Sequence, residues 1–162
     1  MTNRLSTGWA SPLLRASHDI SLTCSAADAW RVLEQFTTMS AWVPIIQHSS
    51  ALNERTAGVG ASRRVQLAAQ TLVETVTIWE PHRQLTYSIE GLPSLIGEVH
   101  NEWLLTDSTE GTTVVLTTRM RPGRNPVKRF VAKKVLERME TASTFMLTSL
   151  KSASEQLDGV ES

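Results

Sequence analysis

The sequence lacks the features that mark several large classes of protein. Its single cysteine, Cys24, excludes an intrachain disulfide framework. No apolar run approaches the roughly 20 residues that a membrane-spanning helix needs. Sixteen basic residues balance sixteen acidic residues, so the bulk charge predicts no polyanionic partner. With 162 residues, the chain is long enough for one globular domain with a real core.

Common catalytic and cofactor signatures are also missing. The chain carries no phosphate-binding loop, dinucleotide fingerprint or recognisable nucleophile triad. His18, His48 and His82 have no metal-ligand spacing, and we expect neither a metal nor another cofactor. Residues 1–16 lack the apolar core of a secretion signal, so we expect a cytoplasmic protein.

What the sequence does contain is a hairpin with two opposite charges on its apolar side. Alternating residues around a turn at 68–69 predict two antiparallel strands in which Arg63 faces Glu74. Because an unpaired buried charge is very costly, the two charges indicate either a buried ion pair or a lined cavity. Their predicted neighbours on the same face are Ala61, Val65, Leu72, Val76 and Ile78.

The rest of the sequence predicts an antiparallel sheet followed by one long helix. Short runs with a period of two are typical of strands. From the N-cap Asn125 and the first helical residue Pro126 onward, apolar residues instead recur every three or four positions, beginning at Val127. We predict strands at 17–24, 48–54, 61–67, 72–79, 85–89, 98–106 and 112–121, helices at 26–36 (N-cap Ser25) and 126–157, and a short irregular segment at 38–46.

The inward faces of the later strands follow from the same alternation. The fifth strand points Tyr87 inward, between Leu85 and Ile89. In the last hairpin the better core consists of Val99, Asn101, Trp103 and Leu105, facing Val114, Leu116, Thr118 and Met120. The alternative register places Glu98, His100 and Glu102 inside, where a histidine between two carboxylates can bind a metal or exchange protons.

No repeat, linker or low-complexity run interrupts the chain. We therefore predict one domain at 17–157, a flexible arm at 1–16 and a tail at 158–162.

In order and spacing, the sequence resembles the START-like, or Bet v 1-like (SRPBCC), superfamily, and within it the bacterial polyketide cyclase/dehydrase and lipid-transport proteins. The matching pieces are SAADAW at 25–30, WVP at 42–44, GASR at 60–63, ETV at 74–76, LTY at 85–87, GT at 111–112 and the final long helix. Many relatives have His where this chain has Val43, so a polar contact at the cavity entrance is expected to be missing.

The resemblance implies an α+β helix-grip fold. In this fold a curved antiparallel sheet wraps around a long C-terminal helix, and two short helices follow the first strand. It also implies a hydrophobic cavity between sheet and helix, in which members of the superfamily bind or convert lipids, hormones, polyketides and other apolar molecules. The fold by itself does not determine the ligand.

Several inward side chains are candidates for ligand contacts. Arg63 and Glu74 are candidates to orient a polar group of the ligand, and Glu74 and Tyr87 are the candidate proton-transfer residues. Each also has a structural interpretation, as a self-satisfied ion pair or a hydrogen-bonded core tyrosine. The full candidate set is Arg63, Glu74, Tyr87, Asn101, Trp103, Thr118, Trp42, Met139, Ser143 and Met146.

Three functions are compatible with this pattern. The first is a carrier of a hydrophobic small molecule, and the second is an enzyme that resembles aromatase/cyclases. The third is an interaction protein that uses the basic stretch at 119–138, which has eight basic residues and one acid. Such a stretch suits phosphate or anionic lipid, although charge runs are usually solvated helix faces. We expect no nucleic-acid partner, because aromatic residues suited to base stacking are not interleaved there, and either a monomer or a homodimer.

Overall fold

In the computed structural model, which describes residues 13–160, a seven-stranded antiparallel sheet curves around one long helix. The strand order is β1-β7-β6-β5-β4-β3-β2, so every connection from β2 to β7 joins neighbouring strands. The strands are β1 (Leu14–Leu22), β2 (His48–Ala51), β3 (Ser62–Gln66), β4 (Thr71–Glu80), β5 (Gln84–Glu90), β6 (Glu98–Ser108) and β7 (Gly111–Arg121). The helices are α1 (Ala26–Leu33), α2 (Pro126–Val160) and two 3₁₀ turns, Phe36–Ala41 and Ser94–Ile96.

This is the predicted helix-grip fold, and both α-helices begin at the predicted caps. The Ser25 hydroxyl accepts a hydrogen bond from the Asp28 N–H at 3.2 Å, and the Asp28 carboxylate accepts one from the Ser25 N–H at 3.3 Å. At α2, the Asn125 side-chain oxygen accepts from the N–H groups of Val127 and Lys128.

Several predicted boundaries need correction. β1 starts at Leu14, because Leu14 and Ala16 pair with Met120 and Thr118 of β7, so 14–16 belong to the sheet rather than to an arm. Of the rest of the predicted arm, Leu13 is exposed and precedes β1, and residues 1–12 lie outside the described residues. α1 stops at Leu33 and a 3₁₀ turn starts at Phe36, whereas α2 continues to Val160 and includes the first three residues of the predicted tail. Residues 161–162 are not described.

The charged hairpin has the predicted register. Arg63 pairs with Glu74, Val65 pairs with Leu72, and the Val76 N–H donates to the Ala61 carbonyl at 2.9 Å. All six side chains are buried.

The prediction for Ile78 was wrong, because a bulge between Val76 and Ile78 shifts the alternation of β4. Ile78 is 37% exposed as a result. Trp79 packs instead on Trp30 of α1, with the ring centroids 5.1 Å apart.

The β6–β7 hairpin also has the predicted inward face. Asn101 lies opposite Thr118 and Trp103 opposite Leu116, and all four are buried. The alternative register, with Glu98, His100 and Glu102 inside, is therefore wrong.

Helix α2 closes the core by packing on the sheet. Its buried residues are Ala132, Leu136, Ser143, Met146, Leu147, Leu150 and Ser154. Val127, the predicted start of the apolar stripe, is 70% exposed because it lies in the first turn, ahead of the first buried residue. Between residues 13 and 160, no helix combines the length and apolar character that crossing a bilayer requires.

Candidate ligand-binding cavity

A cavity of about 510 Å³ lies between the sheet and one flank of α2. This volume falls within the range of roughly 300–1,000 Å³ that is usual for small-molecule sites. Its lining is mostly aliphatic and includes Val65, Leu72 and Ile89 from the sheet. The helix contributes Val135, Met139, Ala142 and Met146, which follow one another at helical spacing.

Glu74, which is paired with Arg63 behind it, forms the inner polar wall. The Nε and Nη2 atoms of Arg63 each lie 2.6 Å from Glu74 Oε2, and Nη1 donates to the Phe36 carbonyl at 2.6 Å. The guanidinium also lies 3.9 Å from the centroid of the Phe36 ring. Every nitrogen of the guanidinium is therefore engaged, and the residue is 3% exposed.

Glu74 is less completely engaged than Arg63. Both contacts with Arg63 fall on Oε2, and within residues 13–160 no group donates a hydrogen bond to Oε1. Glu74 itself lines the cavity. The inner wall thus offers an acceptor to a bound molecule, whereas the Arg63 guanidinium is not part of the lining.

A second polar group lies deeper, around the only tyrosine of the chain. The Tyr87 hydroxyl accepts hydrogen bonds from the indole N–H of Trp103 at 3.3 Å and from the side-chain amide of Asn101 at 3.4 Å. The Asn101 carbonyl oxygen accepts from the Thr118 hydroxyl at 2.7 Å. Of these four residues, only Asn101 lines the cavity.

Burial governs the chemistry of Tyr87. Desolvation raises the pKa of its hydroxyl above the usual value, and the nearby negative charge of Glu74 raises it further. The positive charge of Arg63 acts in the opposite direction and does not cancel the rise. The Tyr87 hydroxyl is neutral, lies behind the cavity lining and already accepts two hydrogen bonds. These features fit the interpretation of Tyr87 as a hydrogen-bonded core residue.

The mouth of the cavity opens beside α2. It is bordered by the β3–β4 turn at 68–70, by Pro93 and by Arg138, all of which are exposed. Arg138 is the only cation that lines the cavity within residues 13–160.

The predicted site residues therefore divide into two groups. Glu74, Asn101, Met139 and Met146 line the cavity. Six others are not part of the lining. Arg63 braces Glu74, Tyr87 and Thr118 are hydrogen-bonded to Asn101, and Trp103 is hydrogen-bonded to Tyr87. Ser143 is buried in α2, and Trp42 packs on Trp103 with ring centroids 6.4 Å apart.

The sequence analysis did not identify the residues at the mouth of the cavity. Arg138 lies three residues after Val135 and four before Ala142, both of which line the cavity, so helical spacing alone would have found it. Met39, Ile46 and Leu92 were also missed. They come from irregular segments, where no periodicity indicates the direction of a side chain.

The outer face of the sheet carries a separate charged cluster. Glu102 accepts two hydrogen bonds from Arg119, at 2.9 and 3.0 Å, and a third from Gln84 at 3.1 Å. Arg119, the first cation of the basic stretch, is thus part of a structural ion pair. In the part of the chain that the structure describes, no group of three or more His, Cys, Asp or Glu residues could hold a metal ion.

Comparison with known proteins agrees with the fold. The family described as polyketide cyclase / dehydrase and lipid transport matches residues 14–155. No curated protein matches the chain. Among solved structures, the Zhui aromatase/cyclase from Streptomyces sp. R1128 is similar, with a TM-score of 0.72 and 19% identity over 90% of this chain and 95% of that one.

Two further structures share the fold. The di-domain ARO/CYC StfQ from the steffimycin biosynthetic pathway has a TM-score of 0.73 and 14% identity over 91% of this chain and 52% of that one. Ara h 8.0201 has a TM-score of 0.72 and 11% identity over 90% of this chain and 99% of that one. With its Bet v 1-like fold and a family match over most of its length, the chain belongs to the polyketide cyclase/dehydrase and lipid transport family of the SRPBCC superfamily.

Proposed function

We propose that the protein binds an apolar small molecule in the cavity, and that this ligand presents a hydrogen-bond donor to Glu74. The observation that carries the proposal is the unshared oxygen of Glu74, Oε1, in a lining that is otherwise mostly aliphatic. Aliphatic walls favour apolar ligands, and a few placed polar groups fix their orientation.

The inner wall also selects against one ligand class. The Arg63 guanidinium is bound to Glu74 and to the Phe36 carbonyl and does not line the cavity, so it does not face a ligand carboxylate. A carboxylate placed there would instead meet the unshared oxygen of Glu74, and two like charges in a low-dielectric site repel each other. The expected inner group of the ligand is a hydroxyl, a phenol or an amine.

A matched pair of probes tests this preference. 1-Aminoanthracene and anthracene share one ring system, and only the first has a donor. We expect the amine to bind about tenfold more tightly, since a hydrogen bond to a charged group contributes roughly 1.5–3 kcal/mol. The preference should vanish in the double variant Arg63→Met/Glu74→Leu, which removes the acceptor without leaving a buried charge unpaired. Equal affinities in the wild type would refute the role of Glu74.

The second candidate function is an aromatase/cyclase-like enzyme, which the family and the accessible oxygen of Glu74 favour. In this mechanism Glu74 removes a proton from a carbon between two carbonyls of a bound chain. The resulting enolate attacks a third carbonyl, and Glu74 returns the proton to the alkoxide that forms. Tyr87 is the weaker candidate for proton transfer, because its hydroxyl lies behind the lining.

Turnover and affinity distinguish the two functions. If the protein is an enzyme, Glu74→Gln should abolish cyclisation of a polyketide-like substrate while the Kd of that substrate stays within a few-fold. If Kd and turnover worsen together, Glu74 is a binding residue. If the wild-type protein binds the substrate but does not convert it, the protein acts as a carrier.

A further inference from the structure

The outer face of α2 exposes large apolar side chains that the fold does not use. The chain has three phenylalanines, and two of them, Phe130 and Phe145, are 63% and 54% exposed on this helix. Val127 of the same helix is 70% exposed. Neither the core nor the cavity explains these three residues.

These residues lie on one line along the helix. Val127, Phe130, Lys134, Arg138 and Phe145 follow each other at spacings of three, four, four and seven residues, which keeps them on one side of an α-helix. We call these five residues the α2 outer stripe. At ~1.5 Å per residue the stripe is about 27 Å long.

Positive charge accompanies the apolar residues. Between Pro126 and Arg138 the helix has five cations and one acid, Glu137. The Lys134 ammonium lies 6.0 Å from the centroid of the Phe130 ring and 3.2 Å from the Glu137 carboxylate. Cations in the first turns of a helix oppose its dipole, so this concentration of charge is not explained by helix stability.

We propose that the α2 outer stripe docks on the surface of an anionic lipid bilayer. Phenylalanine and valine on the same face as lysine and arginine suit the interface, where apolar groups enter between headgroups and cations meet the phosphates. A nucleic acid fits less well, because the two rings lie about 22 Å apart along the helix and Val127 has no ring to stack on a base.

Docking by this face has a consequence for the cavity. Arg138 belongs both to the α2 outer stripe and to the mouth of the cavity. A protein lying on this stripe therefore places the mouth at the edge of the lipid surface, where apolar molecules dissolve. The docking does not depend on which ligand the cavity holds, and a vesicle-binding experiment tests it separately.

The experiment is sedimentation of the full-length protein with vesicles of phosphatidylcholine alone or mixed with phosphatidylglycerol. We expect binding to the anionic vesicles and little to the neutral ones, weakened by salt. Phe130→Ser/Phe145→Ser should reduce the affinity about tenfold or more. Lys128→Gln/Lys133→Gln/Lys134→Gln removes one stripe cation and two cations beside the stripe, and it should do the same, at roughly fivefold per charge.

The matched control is Leu52→Ser/Val59→Ser, two exposed apolar residues between β2 and β3. It should bind vesicles like the wild type, and all variants should keep the wild-type Tm within a few degrees. The proposal is wrong if the control loses as much binding as the phenylalanine variant. It is also wrong if the phenylalanine and lysine variants leave vesicle binding intact; abolished self-association or abolished capture of single-stranded nucleic acid would then identify the stripe's actual role.

Discussion

At the scale of single residues, the ion pair between Arg63 and Glu74 controls which polar groups face the cavity. Each guanidinium nitrogen of Arg63 contacts Glu74 or the Phe36 carbonyl, and Arg63 does not line the cavity. Glu74 lines it and keeps one oxygen without a donor among the described residues. A buried pair of this kind contributes little net stability compared with apolar replacements. We therefore propose that the pair serves to present an acceptor to a ligand.

The first prediction concerns this pair. Arg63→Met alone should lower the free energy of unfolding by about 3–5 kcal/mol, because it leaves the buried Glu74 charge uncompensated. Arg63→Met/Glu74→Leu should recover most of that loss. Urea unfolding of both variants measures the difference. A double variant that is no more stable than Arg63→Met would contradict the assignment of the pair as buried and mutually dependent.

The second prediction concerns Tyr87. Because desolvation raises the pKa of its hydroxyl, the native protein should ionise at a higher pH than unfolded tyrosine, which titrates near 10. As Tyr87 is the only tyrosine, the near-ultraviolet absorbance of the phenolate reports this group alone.

The raised pKa determines how the stability of the fold changes with pH. Tyr87 stabilises the fold fully below pH ~10 and loses this contribution as the pH rises through the folded-state pKa. Tyr87→Phe should therefore show a shallower loss of stability at alkaline pH than the wild type. A native phenolate that appears at the same pH as in urea would show that the hydroxyl is solvated.

At the scale of elements, the β6–β7 turn fixes the sheet beside α1. Gly111 has φ of +134°, and a Cβ atom at this position would collide with the carbonyl oxygen of Leu22 at the end of β1. Thr112 anchors the same corner, with its hydroxyl donating to the Cys24 carbonyl at 2.8 Å.

The third prediction is that Gly111→Ala destabilises the protein by about 2 kcal/mol or more, through strain at a positive φ and a backbone clash. The matched control is Gly123→Ala, where φ is also positive (+79°) but no atom lies within 4 Å of the added Cβ. Gly123→Ala should lower the free energy of unfolding by less, because it introduces strain at a positive φ but no clash. Thermal unfolding of the two variants compares them, and equal Tm values would remove the clash from the explanation.

Most elements, their register and both helix caps were predictable from the sequence, because they depend on local alternation and on short capping motifs. The pairing of Arg63 with Glu74 followed from a symmetric turn, and the N-cap of α2 followed from Asn125 and Pro126. The bulge near Ile78 was not predictable, since one extra residue leaves no mark in the apolar pattern.

At the scale of the whole molecule, the cavity arises from how far α2 lies from the sheet along one flank. That distance depends on packing between elements that are remote in sequence. The alternation of apolar residues therefore identified which side chains point inward, but it did not separate those that line the cavity from those buried in the core. Tyr87 and Trp103 were correctly placed inside, yet neither lines the cavity: Tyr87 is hydrogen-bonded to Asn101, and Trp103 is hydrogen-bonded to Tyr87. Arg138 matched the spacing of the lining and was missed because it belongs to a charge run, which was interpreted as a solvated helix face.

The measurement that tests the central claim most directly is the affinity of 1-aminoanthracene for Ala142→Phe compared with Thr148→Phe. Ala142 lines the cavity, whereas Thr148 is exposed on the same helix. A phenyl ring at 142 fills the space that the ligand needs, so we predict a loss of affinity of about tenfold or more with the fold retained. Thr148→Phe should bind like the wild type. Equal, undiminished binding by both folded variants would show that the cavity is not the ligand site.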